Sequence, residues 1–256
     1  MIKFIASDLD GTLLLNGAQE VDRSFFDVID KISYKKCIFA PASGRQMVSL
    51  QRLFAPVADE LLYIAENGAL VKYKDETIAK TPIDRKLAMD IIEDVINMPN
   101  CEVLVSGEKT AYIKPKSDEY RYRMTKVINY HTTLVDDFSQ IDEDILKVAV
   151  CDLSGIVNSK DYFMSKWKDL SAVTVSGDLY IDFMDKSVNK GMAVKQVQQY
   201  FGITKDECMA FGDNFNDIEM LDEVTYSYAM EKAVSEVKAH ANYITANVEK
   251  ILRQYF

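Results

Sequence analysis

The sequence predicts an α/β protein whose core is a doubly wound, parallel-sheet fold, with a second domain of α+β type inserted into it. Near the start of the chain, short apolar runs alternate with segments of helical period, and the same alternation returns after Lys186. Between Thr81-Pro82 and Lys186 some predicted strands instead follow each other directly. We therefore expect a core domain in residues 1–82 and 186–256 and an inserted domain in residues 83–185.

The first part of the core predicts strand, helix and strand in that order. A strand covers residues 2–7, a helix over 22–34 places Phe25, Val28, Ile29 and Ile32 on one face, and a second strand runs from Cys37 to Ala40. Asn16-Gly17 favours a tight hairpin turn, which would form a flap just beyond the first strand. A further helix carries Met47, Leu50, Leu53 and Phe54, and a buried strand, Leu61 to Ala65, follows it.

The inserted domain and the rest of the core are predicted from the same patterns. For the insertion we expect a helix (84–97), a hairpin from Val103 to Ile113 that turns at Gly107, a helix (117–129), a strand (145–151), a helix (158–169) and strands around Val173 and Ile181. For the returning core we expect a helix over 190–201, a strand from Cys208 to Phe211, a strand over 226–229 and a helix over 231–241.

Composition excludes some classes of partner. The chain has 256 residues, of which 48% are hydrophobic, and a net charge of −10. This negative charge repels polyanions, so we expect no nucleic-acid partner, and no apolar run is long enough to predict a membrane span. The four cysteines are scattered in apolar runs without a CxxC pair, which is typical of reduced core residues. Together with the absence of a leader pattern, this favours a cytoplasmic location. Monomer and homodimer are both open, because no sequence pattern indicates the oligomeric state.

Two aspartates follow the first predicted strand. Asp8 and Asp10 lie in Asp8-Leu9-Asp10-Gly11-Thr12, and because they share parity they are expected to converge as the strand ends. Two carboxylates so close require a cation, and Mg²⁺ prefers such oxygen ligands. A polar turn that caps the strand is the alternative, and the pentapeptide alone does not decide between the two.

Three further candidates follow or precede predicted core elements. Ser43, in Ser43-Gly44-Arg45, follows the second strand and suits an anion or a plain helix N-cap. Lys190 opens a helix, where it opposes the helix dipole; it is either a phosphate ligand or a solvated surface lysine. In Gly212-Asp213-Asn214-Phe215-Asn216-Asp217, Asp213 and Asp217 offer oxygen ligands and Asn216 offers a donor, although the segment also suits a polar turn. In a parallel sheet all these groups would face one crevice.

As a set, these four motifs resemble those of the haloacid dehalogenase (HAD) superfamily, whose core is Rossmann-like. The position and size of the insertion resemble the Cof-type sugar-phosphatase branch, which has a large α/β cap of C2 type. Glu66-Asn67-Gly68-Ala69 is similar to the ENGA segment of that branch. Two segments depart from the family pattern, Ser227 to Ala233 and Thr245 to Glu249. The resemblance therefore indicates the reaction more closely than it indicates the subfamily or the shape of the loops near the site.

The resemblance implies a role for each matched residue. Asp8 attacks phosphorus to form an aspartyl-phosphate, and Asp10 protonates the leaving oxygen and then activates water. Mg²⁺ is held by the carboxylates of Asp8 and Asp213 and by the backbone carbonyl of Asp10. The remaining roles concern the phosphate site and its support: Ser43, Lys190, Asn216 and the amides of Leu9 and Gly44 hold the phosphate, Thr12 holds the loop beside them, and Asp217 supports the metal or orients Lys190.

The implied function is a Mg²⁺-dependent phosphatase of small phosphorylated metabolites, most of all sugar phosphates. A phosphosugar mutase or phosphotransferase, and a catalytically slow metabolite-binding module, are the alternatives. The inserted domain would act as the lid that selects the substrate. Its candidate contacts are Tyr120 to Arg123, although a helix directs neighbouring residues to different sides and favours ordinary packing or solvation for them. The equal-parity residues Asp178, Tyr180 and Asp182 are further candidates and are equally compatible with a solvated face of a sheet.

Overall fold

The computed structural model describes residues 1–256, which form two compact units. The core unit consists of Met1–Ala79 and Asn189–Phe256, and the inserted unit of Lys80–Val188. The strands are β1 (Phe4–Ser7), β2 (Ile38–Pro41), β3 (Leu62–Ala65), β4 (Leu70–Tyr73), β5 (Glu76–Lys80), β6 (Cys101–Ser106), β7 (Ala111–Ile113), β8 (Thr132–Leu134), β9 (Lys147–Asp152), β10 (Ala172–Ser176), β11 (Tyr180–Met184), β12 (Cys208–Gly212), β13 (Tyr226–Met230) and β14 (Tyr243–Thr245).

The helices join these strands. They are α1 (Arg23–Tyr34), α2 (Met47–Leu53), α3 (Arg85–Ile96), α4 (Asp118–Tyr122), α5 (Lys160–Trp167), α6 (Lys190–Phe201), α7 (Ile218–Asp222), α8 (Ser235–Lys238) and α9 (Val248–Tyr255). None of them is both long and apolar enough to cross a membrane.

The core sheet is parallel, as the sequence predicts. Its five strands lie in the order β14-β13-β12-β1-β2, and β1 pairs with β12 on one side and with β2 on the other. All four residues of β1 are buried, because helices cover both faces of such a sheet. In α1 the four predicted apolar residues Phe25, Val28, Ile29 and Ile32 are buried, and Asp22 caps the helix by accepting from the backbone N–H of Ser24.

Several local predictions in the core were wrong or incomplete, and helix α9 was not predicted at all. Asn16-Gly17 forms no hairpin: residues Leu15–Gly17 make a short 3₁₀ turn, because Leu14 folds back and its N–H donates to the carbonyl of Leu9 at 2.7 Å. The predicted helix over 231–241 shrinks to the four residues of α8. The short edge strand β14 was missed, as was the small antiparallel sheet β3-β4-β5, whose turn between β3 and β4 is Glu66–Gly68.

The inserted unit contains a six-stranded sheet in the order β10-β11-β9-β6-β7-β8. The predicted hairpin of β6 and β7 and the adjacent pair β10 and β11 are antiparallel, whereas β7 and β8 are parallel. One face of the sheet packs against α3 and α5 through a cluster of buried apolar side chains, among them Ile92, Val103, Val150 and Phe163. The α+β character expected from the sequence is therefore confirmed.

Helices α3 and α5 are linked by one partly buried carboxylate. Asp94, whose side chain is 9% exposed, accepts hydrogen bonds from Tyr162 at 2.7 Å, Lys166 at 2.7 Å and the indole of Trp167 at 2.9 Å. Burial by itself raises the pKa of Asp94, but the hydrogen bonds from Lys166, Tyr162 and Trp167 outweigh it and hold the pKa below its usual value. The ionised form of Asp94 therefore stabilises the folded inserted unit.

We expect Asp94→Asn to lower the free energy of unfolding by about 1–3 kcal/mol at neutral pH, because a charged acceptor of three hydrogen bonds is lost. The contribution of Asp94 is fully present above the unfolded pKa of about 3.9 and disappears as the pH falls through the lower folded value. Thermal unfolding of the wild type and of Asp94→Asn from pH 7 down to pH 2 measures this: the difference between them should shrink in acid.

Asp90→Asn is the matched control, because Asp90 lies on the same helix and only forms an exposed pair with Lys86. Its effect should stay within about 0.5 kcal/mol. An equal loss in both variants would contradict the role given to Asp94.

Candidate active site at the carboxyl edge of the core sheet

The predicted motifs meet at one edge of the core sheet. Ser7, the last residue of β1, is in register with Phe211 of β12 and with Pro41 of β2. Because the three strands are parallel, the chain leaves all of them on the same side, and the residues after each strand become neighbours. The N–H of Asp8 donates to the carbonyl of Phe211 at 2.9 Å, which carries the register one residue past the strand.

Lys190 lies at the centre of the site and is not a surface lysine. Its side chain is fully buried, and its Nζ donates to Oδ1 of Asp8 and to Oδ1 of Asp217, both at 2.6 Å. Asp217 is fully buried too, and its Oδ2 accepts the backbone N–H groups of Asp213 and Asn214, each at 3.0 Å. Asp217 thus orients Lys190, and it also fixes the conformation of the loop from Asp213 to Asp217.

The site contains more negative than positive charge. Asp8, Asp213 and Asp217 offer carboxylate oxygens within 4.8 Å of one another, and Lys190 is the one ammonium bound to them. Burial raises the pKa of Asp8 well above its usual value, the charge of Asp217 raises it further, and Lys190 opposes both. Burial also raises the pKa of Asp213, while the hydrogen bond from Thr12 opposes the shift.

The pKa of Lys190 responds in the opposite sense. Burial alone lowers it, but the charges of Asp217 and Asp8 outweigh burial and hold it above its usual value. The pKa shifts of Asp8, Asp213 and Lys190 have one consequence in common: a further cation beside Asp8 and Asp213 would stabilise their ionised carboxylates.

The oxygens fit such a cation. Both oxygens of Asp217 are occupied by Lys190 and the backbone, so Asp217 is not a free ligand. Asp8 uses Oδ1 for Lys190, and Asp213 uses Oδ1 to accept the hydroxyl of Thr12 at 2.8 Å. The second oxygens of Asp8 and Asp213 bind neither Lys190 nor Thr12, and the two side chains lie within hydrogen-bonding range of each other. Two such oxygens side by side are the donor chemistry that a hard divalent cation prefers.

The carboxylate of Asp10 does not belong to the acidic group that Asp8, Asp213 and Asp217 form. β1 ends at Ser7 and the chain then turns, so the alternation of an extended strand no longer applies at positions 8–10. Arg45 instead binds Asp10 through two hydrogen bonds, Nε to Oδ2 at 2.9 Å and an Nη to Oδ1 at 2.6 Å. The side chain of Asp10 is 57% exposed.

The other predicted residues lie in the loops that follow β1, β2 and β12. Ser43 is buried, and its Oγ accepts the N–H of Arg45 at 3.2 Å; it does not cap α2, which begins four residues later. Leu9 is buried directly after Asp8, and Gly44 lies against the side-chain amide of Asn67. Asn216 donates through Nδ2 to Oδ1 of Asn67 at 3.1 Å.

Two residues of this site were not among the sequence candidates. Arg45 and Asn67 both lie in segments that the motif comparison singled out, Ser-Gly-Arg and Glu-Asn-Gly-Ala, but no property of either residue alone indicated a contact with Asp10 or Asn216. The signal that could have found them is their position in the loops that follow β2 and β3.

Four specificity candidates of the inserted unit, Tyr120, Arg123, Tyr180 and Asp182, have packing or polar contacts within that unit. Tyr120 is fully buried in a cluster with Met124, Leu104 and Ala149, so it is a packing residue. Arg123 donates to the hydroxyl of Tyr180 at 3.2 Å. Asp182 is buried and ion-paired with Lys147 at 3.1 Å, so it does not belong to a solvated face.

Comparison with known proteins supports one family. Residues 5–251 match the model of the haloacid dehalogenase-like hydrolases. The chain is 28% identical over 244 residues to 5-amino-6-(5-phospho-D-ribitylamino)uracil phosphatase YbjI of Escherichia coli, covering 94% of this chain and 90% of the relative. It is 26% identical over 249 residues to the phosphatase YcsE of Bacillus subtilis, which carries the same substrate in its name, covering 97% and 92%.

A solved structure agrees with these relatives. The crystal structure of a protein from Eubacterium rectale is 29% identical, superposes with a TM-score of 0.88 and covers 100% of this chain and 99% of its own. The family that the four motifs resemble is thereby confirmed over residues 5–251. The protein is an enzyme and belongs to the haloacid dehalogenase-like hydrolase family.

Proposed function

We propose that this enzyme is a Mg²⁺-dependent phosphatase that hydrolyses monoesters of small phosphorylated metabolites through an aspartyl-phosphate on Asp8. One observation carries the proposal: a buried ammonium, Lys190, joins Asp8 to Asp217 beside Asp213, at the edge of the sheet where ligands of α/β proteins bind. Phosphoryl transfer needs this combination of a carboxylate nucleophile and neutralised charge.

In the first step an oxygen of Asp8 attacks phosphorus, and the bond from phosphorus to the ester oxygen breaks. Asp10 gives its proton to that leaving oxygen, which departs as an alcohol. In the structure the Asp10 carboxylate is held by Arg45, so the carboxyl group must leave the guanidinium to reach the leaving oxygen. The exposed position of Asp10 is compatible with this movement.

In the second step Asp10 takes a proton from water, and the water oxygen attacks phosphorus. The bond from phosphorus to Asp8 breaks, which releases inorganic phosphate and restores the carboxylate. Asp10 is then protonated again and ready for the next ester. Atoms and charges balance over the cycle: one ester and one water give one alcohol and one phosphate.

The phosphate oxygens are held by donors on three segments. Lys190 has three N–H bonds and uses two of them for Asp8 and Asp217, so one remains for a phosphate oxygen. The hydroxyl of Ser43, the side chain of Asn216 and the backbone amides of Leu9 and Gly44 complete the set that we propose. Thr12 contributes by holding Asp213.

Asp8 and Asp213 would hold Mg²⁺, together with the backbone carbonyl of Asp10. When bound, the ion supplies the positive charge that the carboxylates require and lowers the repulsion between Asp8 and the anionic substrate. Asp217 stays outside this ligand set, because its oxygens already have partners.

For the substrate we propose a phosphate ester of a small polyhydroxylated compound, with the inserted unit as the domain that selects it. The name shared by the relatives from E. coli and B. subtilis describes a phosphate on a ribityl chain, and such a chain presents the same hydroxyl-bearing carbon skeleton as a sugar phosphate. Cytoplasmic phosphometabolites are the corresponding partners.

Asp8→Asn should lower kcat at least about a thousandfold, because the asparagine amide has nearly the same shape as the carboxylate but is a poor nucleophile. Release of inorganic phosphate from a panel of phosphomonoesters measures the effect. Asp30→Asn, the same change at an exposed position of α1, should leave the rate unchanged. A wild-type rate in Asp8→Asn would show that another group attacks phosphorus.

Removal of divalent cations with EDTA should abolish phosphate release, and added Mg²⁺ should restore it. Asp213→Asn should raise the Mg²⁺ concentration for half-maximal rate at least about tenfold, because one ligand oxygen loses its charge. Asp30→Asn serves again as the control. Full activity after exhaustive chelation would exclude the proposed metal.

A substrate panel separates the competing activities. We expect phosphate release from sugar phosphates or ribityl phosphates, with kcat/KM at least about tenfold higher than for a simple aryl phosphate, because remote hydroxyl contacts contribute binding energy. Conversion between positional isomers without phosphate release would identify a mutase instead. Tight binding with negligible turnover would identify a metabolite-binding module.

A further inference from the structure

The turn Glu66–Gly68 has an unusual backbone and lies beside the phosphate site. Three successive residues have positive φ: Glu66 at 50°, Asn67 at 56° and Gly68 at 104°. For residues other than glycine this conformation costs free energy, and it persists only where surrounding contacts hold it. All three residues are buried, so the turn is held by the protein interior.

The turn is bound to two of the elements that carry site residues. The N–H of Asn67 donates to the carbonyl of Ser43 at 2.9 Å, and the N–H of Glu66 donates to the carbonyl of Arg45 at 3.1 Å. On another side, a Cβ at Gly68 would lie 2.5 Å from the carbonyl oxygen of Asn189, the N-cap of α6 directly before Lys190. The turn therefore contacts both the loop after β2 and the start of α6.

The side chain of Asn67 reaches a third element. Its Oδ1 accepts the Nδ2–H of Asn216 at 3.1 Å, and a Cβ at Gly44 would lie 3.0 Å from its Nδ2. Asn67 is 2% exposed, and its Nδ2 is buried without a hydrogen-bond partner in the protein. The bond to Asn216 is thus the one side-chain hydrogen bond that sets the orientation of the Asn67 amide.

This bond also decides how Asn216 presents its own amide. One Nδ2–H of Asn216 points to Asn67, so the second hydrogen of the same planar NH₂ group is directed at about 120° to the first. A 180° rotation of the Asn216 amide would place its oxygen against the oxygen of Asn67, which disfavours that orientation. Asn216 therefore keeps a donor available for an anion. Without Asn67 the amide would be free to rotate.

We propose that Asn67 is a positioning residue of the phosphate site, which holds Asn216 in its donor orientation and ties it to the loop of Ser43 and Gly44. This inference rests on the proposed function, since Asn216 serves there as a donor to the phosphoryl group. Asn67 acts through Asn216 and does not itself touch the substrate.

A double-mutant cycle with Asn67→Gly and Asn216→Ala tests the proposal. Glycine removes the side chain but tolerates the left-handed backbone, so it avoids the strain that alanine would introduce. Each single variant should lower kcat/KM by roughly ten- to a hundredfold. The double variant should lose no more than Asn216→Ala alone, because Asn67 acts only through the donor that this change removes.

Lys74→Gly is the matched control, because Lys74 also has a positive φ, of 55°, but lies exposed in the turn between β4 and β5. It should leave kcat/KM unchanged. Losses that multiply in the double variant would overturn the proposal, as they would show that Asn67 contacts the substrate independently. A lower thermal midpoint of Asn67→Gly with unchanged kinetics would also overturn it.

The affinity for inorganic phosphate in the presence of Mg²⁺, measured by calorimetry on the same four proteins, separates this inference from the proposed function. Phosphate binding that weakens non-additively supports the role of Asn67 even if the wild type turns over no ester, in which case only the proposed hydrolysis fails. An active wild type with additive effects overturns the role of Asn67 alone. A wild type that binds no phosphate overturns both.

Discussion

The buried ammonium of Lys190 is the interaction on which the rest of the site depends. A charged lysine without water is costly, and it opposes the dipole of the helix that it opens. Two carboxylates from opposite ends of the chain offset that cost, Asp8 at a sequence distance of 182 residues and Asp217 at 27. Removal of one partner from such a buried group typically costs about 3–5 kcal/mol, so the pairing ties the start of α6 to β1 and to the loop after β12.

The parallel sheet makes this pairing possible. β1 lies between β2 and β12, and because all three run in the same direction, the segments after them share one edge. Each segment brings a different chemistry: carboxylates after β1, a hydroxyl and backbone amides after β2, and carboxylates with an amide donor after β12. Burial, together with the charge of Asp217, raises the pKa of Asp8 and Asp213, so a cation bound beside them would stabilise their ionised forms.

How accurately each helix or strand was predicted depended on the physical origin of its sequence pattern. α1, α3 and α6 were predicted closely, because a long apolar face of helical period reflects burial directly. The predicted flap at Asn16-Gly17 was wrong, because Leu14 is buried and its backbone bonds to Leu9 instead of to a partner strand. The strand β14 was missed, since three residues at a sheet edge carry too little alternation to be distinguished from a loop.

The amino-acid sequence by itself determined which chemical groups stand after β1, β2 and β12, because the strand-then-polar pattern is local and is read within a few residues. Only the tertiary structure decided the partners of these groups: Lys190 between Asp8 and Asp217, Arg45 on Asp10, and Asn67 on Asn216 across 149 residues. The physical reason is that such contacts depend on the order of strands in the sheet and on the backbone path of the loops. Neither property is contained in the local alternation of apolar and polar residues.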